Sequence, residues 1–562
     1  MGVLQILKVK VEISGIDMTQ EIGPLIKSYY PKHEVEIKYI GDISVEDELD
    51  EKELPDKIST DKKNYGRKVN LETFSIENKT DKNPNIVTAK TNSEEKTEIY
   101  NDNEVSNIHT SGYEKTIKLS LAEDEISIFI DNIFRVSETF NYTDALDPHM
   151  PYEKRKRRAY KNQLLRALFR VMSEETGRKL PWGILTGVRP TKLLFERLKN
   201  KTVGNISYMV NEYYVSPQKA GLAQKTAAKE LQLLEKIDYE KGYSLYVGFP
   251  FCPSICNYCS FGSHPIAKFG HLAEDYIAAL LKEIEKSSEL LKDKKLQTIY
   301  FGGGTPTAVT AEQLGRVIKK VKQCFDLKDC IEFTVEAGRP DSIDEEKLSL
   351  LKAEGITRIS INPQTMNQRT LDIIGRKHTV EQTIEAFKIA RKMGFDNINM
   401  DLIAGLSGEC FDDFKNTLTD VGKLDPDCLT VHTLALKRAA RLTTQKEDYE
   451  GLDASDVGQM VDYAAEYCME HGYDPYYLYR QKNMTESLEN VGYAKPGKEG
   501  LYNILIMEEV QMILACGAGA SSKFIYRNAE NGRRFGRVEN VKNVSEYISR
   551  IDEMIARKTE SF

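Results

Sequence analysis

Tryptophan is almost missing from this 562-residue chain, and Trp182 stands alone. No run of about 18 apolar residues occurs, so no membrane-spanning helix is expected. The opening residues, 1–10, alternate apolar and polar side chains like a strand. They lack the charged, apolar, small-residue order of a secretory signal. The nine cysteines are odd in number and scattered, which excludes a disulfide scaffold and makes a reducing cytoplasm the expected compartment. Positive charge is not in excess: the formal net charge is -8, so non-specific nucleic-acid binding is not an expected task. Between residues 41 and 112 apolar periodicity itself is missing. Asp, Glu, Lys, Asn, Ser and Thr dominate there, and the stretch reads as a disordered insertion.

The rest of the chain is periodic. With 40% hydrophobic and 29% charged residues it can bury a large core and stay in solution. Residues 1–134 read as a small N-terminal α/β domain around the insertion, and 135–240 as a helical, polar connecting region. The connection carries a dense basic run, Lys154 to Arg158, then Lys161, Arg166 and Arg170. Such a run is ordinarily a solvated helix face, and alternatively a dock for an anionic partner. From 241 to 440, short β-branched or apolar runs alternate with amphipathic stretches. Runs at 244–248, 298–301, 332–336, 358–361, 397–402 and 429–432 predict six strands. Stretches at 272–291, 311–326, 344–354, 380–394 and 411–422 predict the helices between them. This alternation implies a parallel sheet, which right-handed crossovers curl into a β/α barrel. Residues 441–562 read as a mostly helical C-terminal domain, with a small-residue stretch from Cys516 to Ser522.

The chemistry begins after the first barrel strand, where Cys252, Cys256 and Cys259 stand at C-x3-C-x2-C. Random scatter of the cysteines would give this pattern in roughly 0.002 of such chains, so the spacing calls for a reason. A ferredoxin needs a fourth cysteine in a matching run, and none follows. A structural zinc site would recruit His264 as its fourth ligand. A four-iron cluster on three thiolates leaves one iron open. S-adenosylmethionine (SAM) can chelate that iron, and an electron from the cluster then cleaves it to a 5′-deoxyadenosyl radical. The other cysteines, Cys324, Cys330, Cys410, Cys428, Cys468 and Cys516, lack ligand spacing and read as small buried apolar residues.

Glycines in the run Gly302, Gly303, Gly304, followed by Thr305, let backbone N–H groups approach a charged ligand; the alternative is an ordinary tight turn. Glu336, Gln364 and Asp401 stand at or just past successive strand ends, with Arg376 and Ala435 a little further on. Any one of these polar residues alone fits a structural role. Together they gather at the face where barrel active sites are built.

The cysteine spacing, with Tyr258 before the last cysteine, resembles the radical SAM superfamily signature. The motif order over residues 243–440 is similar to one branch, the oxygen-independent coproporphyrinogen III oxidases (dehydrogenases). Stretches around Arg189, 431–438 and 477–483 resemble the HemZ-type members. The resemblance implies an α/β fold with a partial (β/α)6 radical SAM barrel. It implies a [4Fe-4S] cluster on Cys252, Cys256 and Cys259. It also implies SAM contacts from Tyr246, Tyr258, Gly303, Gly304, Thr305, Glu336, Gln364, Arg376, Asp401 and Ala435, with Tyr258 near the adenine. A tetrapyrrole substrate and an electron donor such as flavodoxin or ferredoxin follow from the same resemblance.

The chain departs from its relatives at three places. The branch's fourth cysteine is replaced by Phe261, and the histidine two residues after the strand tyrosine by Gly248. The haem-chaperone motif H-N-x-x-Y-W has no counterpart. Three functions stay open. One is oxidative decarboxylation of two propionates of coproporphyrinogen III to vinyls, with Lys437, Arg438, Arg441, Arg480 and Lys482 as candidate carboxylate clamps. Another is a haem-binding, chaperone-like protein using His432 or His264. The third is anaerobic degradation or methylation of haem by radical chemistry.

Overall fold

The computed structural model describes residues 8–31, 33–41, 114–140, 151–238, 240–259, 263–434, 454–480, 488–525 and 535–561. Apart from Gly41, the expected insertion lies outside the described residues. Among the described residues, those of 8–17, 33–41 and 114–137 form one compact unit, and those of 18–31 and from 138 onward a second.

The first unit holds a sheet of β1 (Lys8–Gly15), β2 (Glu34–Gly41), β3 (Glu114–Leu121), β4 (Glu125–Ile130) and β5 (Ile133–Thr139), in the order β2-β1-β3-β4-β5. β1 runs parallel to β2 and β3, and β3 pairs antiparallel with β4. Alternation decides the buried face: Val9, Val11 and Ile13 join Ile117, Leu119, Ile126 and Ile128, all without exposed surface. Asp131 and Asn132, both at positive φ, make the two-residue turn into β5, the geometry that suits right-twisted hairpins.

The second unit is built on an 11-stranded sheet. Its first strand in sequence is β6 (Gly242–Phe249). The two-residue pair β7 (Phe251–Cys252) and β8 (His264–Pro265) brackets the cysteine loop. Then follow β9 (Lys295–Gly303), β10 (Glu332–Glu336), β11 (Arg358–Ser360), β12 (Ile398–Ala404) and β13 (Cys428–Thr433), paired parallel in succession from β6. Helices Ala273–Ser288, Ala311–Cys324, Glu345–Ala353, Val380–Lys392 and Phe411–Leu424 lie between them in sequence. The six-stranded α/β barrel expected from the sequence is therefore present. Helix starts are set locally: Thr310 with Gln313, and Thr379 with Gln382, form reciprocal capping boxes. Leu245, Val247, Ile299, Phe301, Val335, Ile359, Met400 and Leu402 fill the core.

The C-terminal region carries helices Ala454–Glu470, Leu501–Glu508, Val544–Ser549 and Ile551–Thr559. It also supplies five strands that the sequence did not announce: β14 (Asp474–Tyr479), β15 (Asn490–Ala494), β16 (Met512–Cys516), β17 (Ser521–Ile525) and β18 (Phe535–Glu539). β15 pairs antiparallel with β13 and β14. β16 lies parallel beside β6, from Met512 opposite Tyr243 to Cys516 opposite Val247. These strands are short, and β15 and β16 join the sheet through partners distant in sequence, so no local period betrays them. The sheet order, β14-β15-β13-β12-β11-β10-β9-β6-β16-β17-β18, does not close, which makes the barrel partial. Among the described residues no helix is long and apolar enough to cross a membrane.

Candidate active site

The C-terminal ends of the parallel strands gather the chemistry. Chain leaving β6 passes through Cys252 into a loop pinned on both sides. Asn257 donates from its backbone to the Ile374 carbonyl at 2.9 Å and from its side chain to the Ile373 carbonyl at 2.9 Å. Ser254 Oγ donates to the Gly375 carbonyl at 3.0 Å. The Cys259 N–H donates to the Cys256 carbonyl at 3.0 Å. The loop's start is held by the glycine turn after β9: Gly304 and Thr305 donate to the carbonyls of Phe249 and Phe251 at 2.6 and 2.7 Å.

Gly303 and Gly304 have specific reasons to be glycine. Gly303 sits at φ +101, and a Cβ there would come within 2.9 Å of the Tyr246 hydroxyl. A Cβ on Gly304 would meet the Phe251 and Phe249 carbonyls at 2.6 and 2.7 Å and the Cys252 sulfur at 3.1 Å. The turn is thus a tight cradle against the cysteine loop.

None of the three cysteines is in a disulfide. Among the described residues, no three His, Cys, Asp or Glu side chains form a ready metal site on their own. The donor set still suits an iron–sulfur cluster: three thiols on one short loop, with cationic and hydroxyl donors aimed at the sulfurs. Thr305 Oγ1 donates to Cys252 Sγ at 3.4 Å, and Arg339 and Arg376 each point Nη1 at Cys256 Sγ, at 3.6 and 3.9 Å. Burial raises the pKa of the Cys252 thiol, with the Thr305 hydrogen bond working against that rise.

Around this loop the fold assembles the polar residues singled out from the sequence. Arg376 is buried, donates to the Tyr258 hydroxyl at 3.3 Å and the Gly338 carbonyl at 3.1 Å, and leaves its Nε without a partner. Gln364 adopts φ +70, rare for a residue with a side chain, and its buried Oε1 also lacks a partner. Its backbone is locked to β12, accepting from Ile403 N–H at 3.0 Å and donating to the Asp401 carbonyl at 2.9 Å. Burial pushes Asp401 up, but the nearby His432 and the hydrogen bond from Asn399 at 2.7 Å outweigh it and hold the carboxyl below its ordinary value. Burial dominates at Glu336, raising its pKa to about 7 despite a hydrogen bond from Tyr300. Tyr246 completes the group, its ring 6.3 Å from those of Tyr300 and Tyr502. Ala435 lies outside the described residues.

Of the other expected residues, His432 borders this group and the rest fall elsewhere. His432 Nε2 approaches Asp401 Oδ2 at 3.7 Å, and His264 packs edge-on against Phe269 at 4.9 Å. The basic run lies on the helix Tyr152–Thr176, where Arg157 and Arg166 pair with Glu21 and Glu212 at 2.6 and 2.9 Å. Of the candidate clamps, Lys437, Arg438, Arg441 and Lys482 lie outside the described residues, as does Phe261. Arg480 is 6% exposed beside Trp182, with its Nε unpartnered; burial lowers its pKa to about 10. Gly248 is roofed by the small-residue stretch: a Cβ on Gly517 would come within 2.5 Å of the Gly248 carbonyl.

The sequence reading missed Arg339, Tyr300, Tyr502 and His378. His378 has no exposed surface and no hydrogen-bond partner. Burial, with Arg376 and Arg339 nearby, depresses its pKa to about 3, so it is neutral. Nothing in the local sequence marks these residues, because each reaches the site from a separate element.

Comparison with known proteins adds a family. The model for the radical SAM superfamily matches residues 246–421. The oxygen-independent coproporphyrinogen-III oxidase-like protein HemZ of Bacillus subtilis (strain 168) is 43% identical over 411 residues, spanning 72% of this chain and 82% of that protein. The heme chaperone HemW of Lactococcus lactis subsp. lactis (strain IL1403) is 31% identical over 50% of this chain and 70% of its own. The oxygen-independent coproporphyrinogen III oxidase of Escherichia coli (strain K12) is 32% identical over 35% of this chain and 42% of its own.

Proposed function

The chain belongs to the radical SAM superfamily and, within it, to the oxygen-independent coproporphyrinogen-III oxidase-like proteins of HemZ type, and from that premise we propose that it is a coproporphyrinogen III dehydrogenase. Membership brings a [4Fe-4S] cluster and SAM as cofactors. Cys252, Cys256 and Cys259 are the residues to hold the cluster. With both cofactors bound, the chemistry supplied is removal of a hydrogen atom from an unactivated carbon.

The chain's own groups bind and orient. The Gly303–Thr305 turn, its Gly304 and Thr305 N–H groups taken by Phe249 and Phe251, is our assignment for the close approach of the methionine end of SAM, and the unpartnered Gln364 Oε1 and Arg376 Nε offer an acceptor and a donor. The hydrogen bond from Arg376 holds the Tyr258 hydroxyl, and that ring is our assignment for the adenine contact. Asp401, kept ionised by His432 and Asn399, and Glu336, poised near neutrality, supply acidic contacts. At each of two propionates one hydrogen atom leaves the carbon next to the ring. The carboxylate departs as CO2, and one electron passes to an external acceptor, leaving a vinyl group.

The observation carrying this reading is the 43% identity to the HemZ protein across most of both chains. The haem-chaperone alternative is less well supported, because the sequence has no counterpart of the H-N-x-x-Y-W motif, although His264 keeps a buried Nδ1 without a partner. Anaerobic reconstitution with iron and sulfide, followed by SAM, a reductant and coproporphyrinogen III, tests the proposal by chromatography. The expected products are 5′-deoxyadenosine and protoporphyrinogen IX. Deoxyadenosine without a vinyl product would move the substrate elsewhere, with haem the next compound to try.

A further inference from the structure

Arg339 was not among the residues that the sequence singled out, yet it is tied to the cysteine loop at more points than any of them. It is 3% exposed. Its Nη1 donates to the Ser254 carbonyl at 3.1 Å and to Cys256 Sγ at 3.6 Å, while Nη2 donates to Ser254 Oγ at 3.0 Å. The other edge of the guanidinium, Nε and Nη2, grips Asp341 at 3.0 and 2.8 Å. Arg376 brings a second guanidinium to the same sulfur at 3.9 Å. Two cations and one carboxylate therefore surround Cys256, and His378 adds no charge.

Resting on the assignment of Cys256 as a cluster ligand, we propose that Arg339 is a positioning residue that fixes the cysteine loop and sets the reduction potential of the cluster, with Asp341 as its counterweight. Reduction adds negative charge to a cluster and its thiolates. A cationic donor on a ligand sulfur favours that charge and raises the potential, and a carboxylate holding the donor moderates the effect. A planar fork is needed because one group must serve the Ser254 carbonyl, the Ser254 hydroxyl, the sulfur and Asp341 at once. An ammonium group cannot reproduce that geometry.

The test is a redox titration of the reconstituted full-length protein without SAM, read by the paramagnetic resonance signal of the reduced cluster, with iron and sulfide counted separately. Arg339→Gln is expected to lower the potential, making the cluster at least about tenfold harder to reduce, about 59 mV for one electron. Asp341→Asn is expected to move it the opposite way, and Arg339→Lys to fall between Arg339→Gln and the parent. A purely structural role would not produce shifts of opposite sign. Parental potential in both Arg339→Gln and Asp341→Asn, or shifts of the same sign, would overturn the proposal. If Arg339→Gln takes up no cluster, Asp341→Asn decides: a rise sustains the proposal, and no change or a fall overturns it. Parent protein that binds no cluster would instead overturn the cysteine-loop assignment and this inference with it, an outcome that iron counting separates from the others.

Discussion

Gln364 combines a left-handed backbone at φ +70 with a buried, unpartnered amide oxygen. Both features cost free energy in the protein alone, so the residue earns its place only when a donor reaches Oε1. Gln364→Met keeps a side chain of similar length and removes the orphaned polar group. It is expected to leave stability to urea unchanged or raise it by about 1 kcal/mol, while SAM binding measured by calorimetry weakens about tenfold. Equal SAM affinity would remove Gln364 from the site. Glu336 makes a prediction in pH. Its folded pKa is raised to about 7 from the ordinary 4.5, so the folded state holds a proton that the unfolded chain releases. Stability is then lost as pH rises from about 4.5 to 7, by about 3 kcal/mol in all. Glu336→Gln keeps an acceptor for Tyr300 and should abolish that slope in cofactor-free protein, gaining nothing at pH 4 and most above 7. Identical urea profiles across that range would contradict the account.

At the scale of elements, the last helix is held by charge as well as packing. Lys558 and Glu283 are both fully buried and paired. Glu283 also accepts from Gly517 N–H, Asn540 and Tyr547 at 2.7, 2.7 and 2.5 Å. One carboxylate thus ties Ile551–Thr559 and the 516–522 stretch to the helix Ala273–Ser288, and the stretch in turn roofs Gly248 at the end of β6. Lys558→Met strands the carboxylate in the core and should cost about 3 kcal/mol, read as a lower urea midpoint with unchanged slope. The barrel strands were legible because short β-branched and apolar runs recur between helical stretches, as at 398–404, where Ile398, Met400 and Leu402 alternate with Asn399 and Asp401, and the crossover helices because their apolar residues repeat with a helical period. β16 was not, since Met512–Cys516 is a strand only by virtue of β6 alongside it. β14 hid for a different reason: Tyr476 and Leu478 are buried, but so is Tyr477 between them, which erases the alternation. At the site, cysteines, glycines and strand-end polar residues could be read directly. Arg339, Tyr300 and Tyr502 could not, because their value lies in contacts made across elements.

On the scale of the whole molecule, the barrel positions a reactive centre that the cofactors supply, and the chain contributes orientation and charge. The expected dependence on all three thiols follows. Cys252→Ala, Cys256→Ala and Cys259→Ala should each abolish SAM cleavage, and normal turnover in any one of them would defeat the cluster assignment. The central claim concerns where hydrogen is taken. The most direct measurement is mass spectrometry of the 5′-deoxyadenosine formed anaerobically with coproporphyrinogen III deuterated at the propionate carbons next to the rings. Deuterium in the deoxyadenosine, with protoporphyrinogen IX and CO2 appearing together, is the predicted result. Unlabelled deoxyadenosine with intact coproporphyrinogen would contradict it.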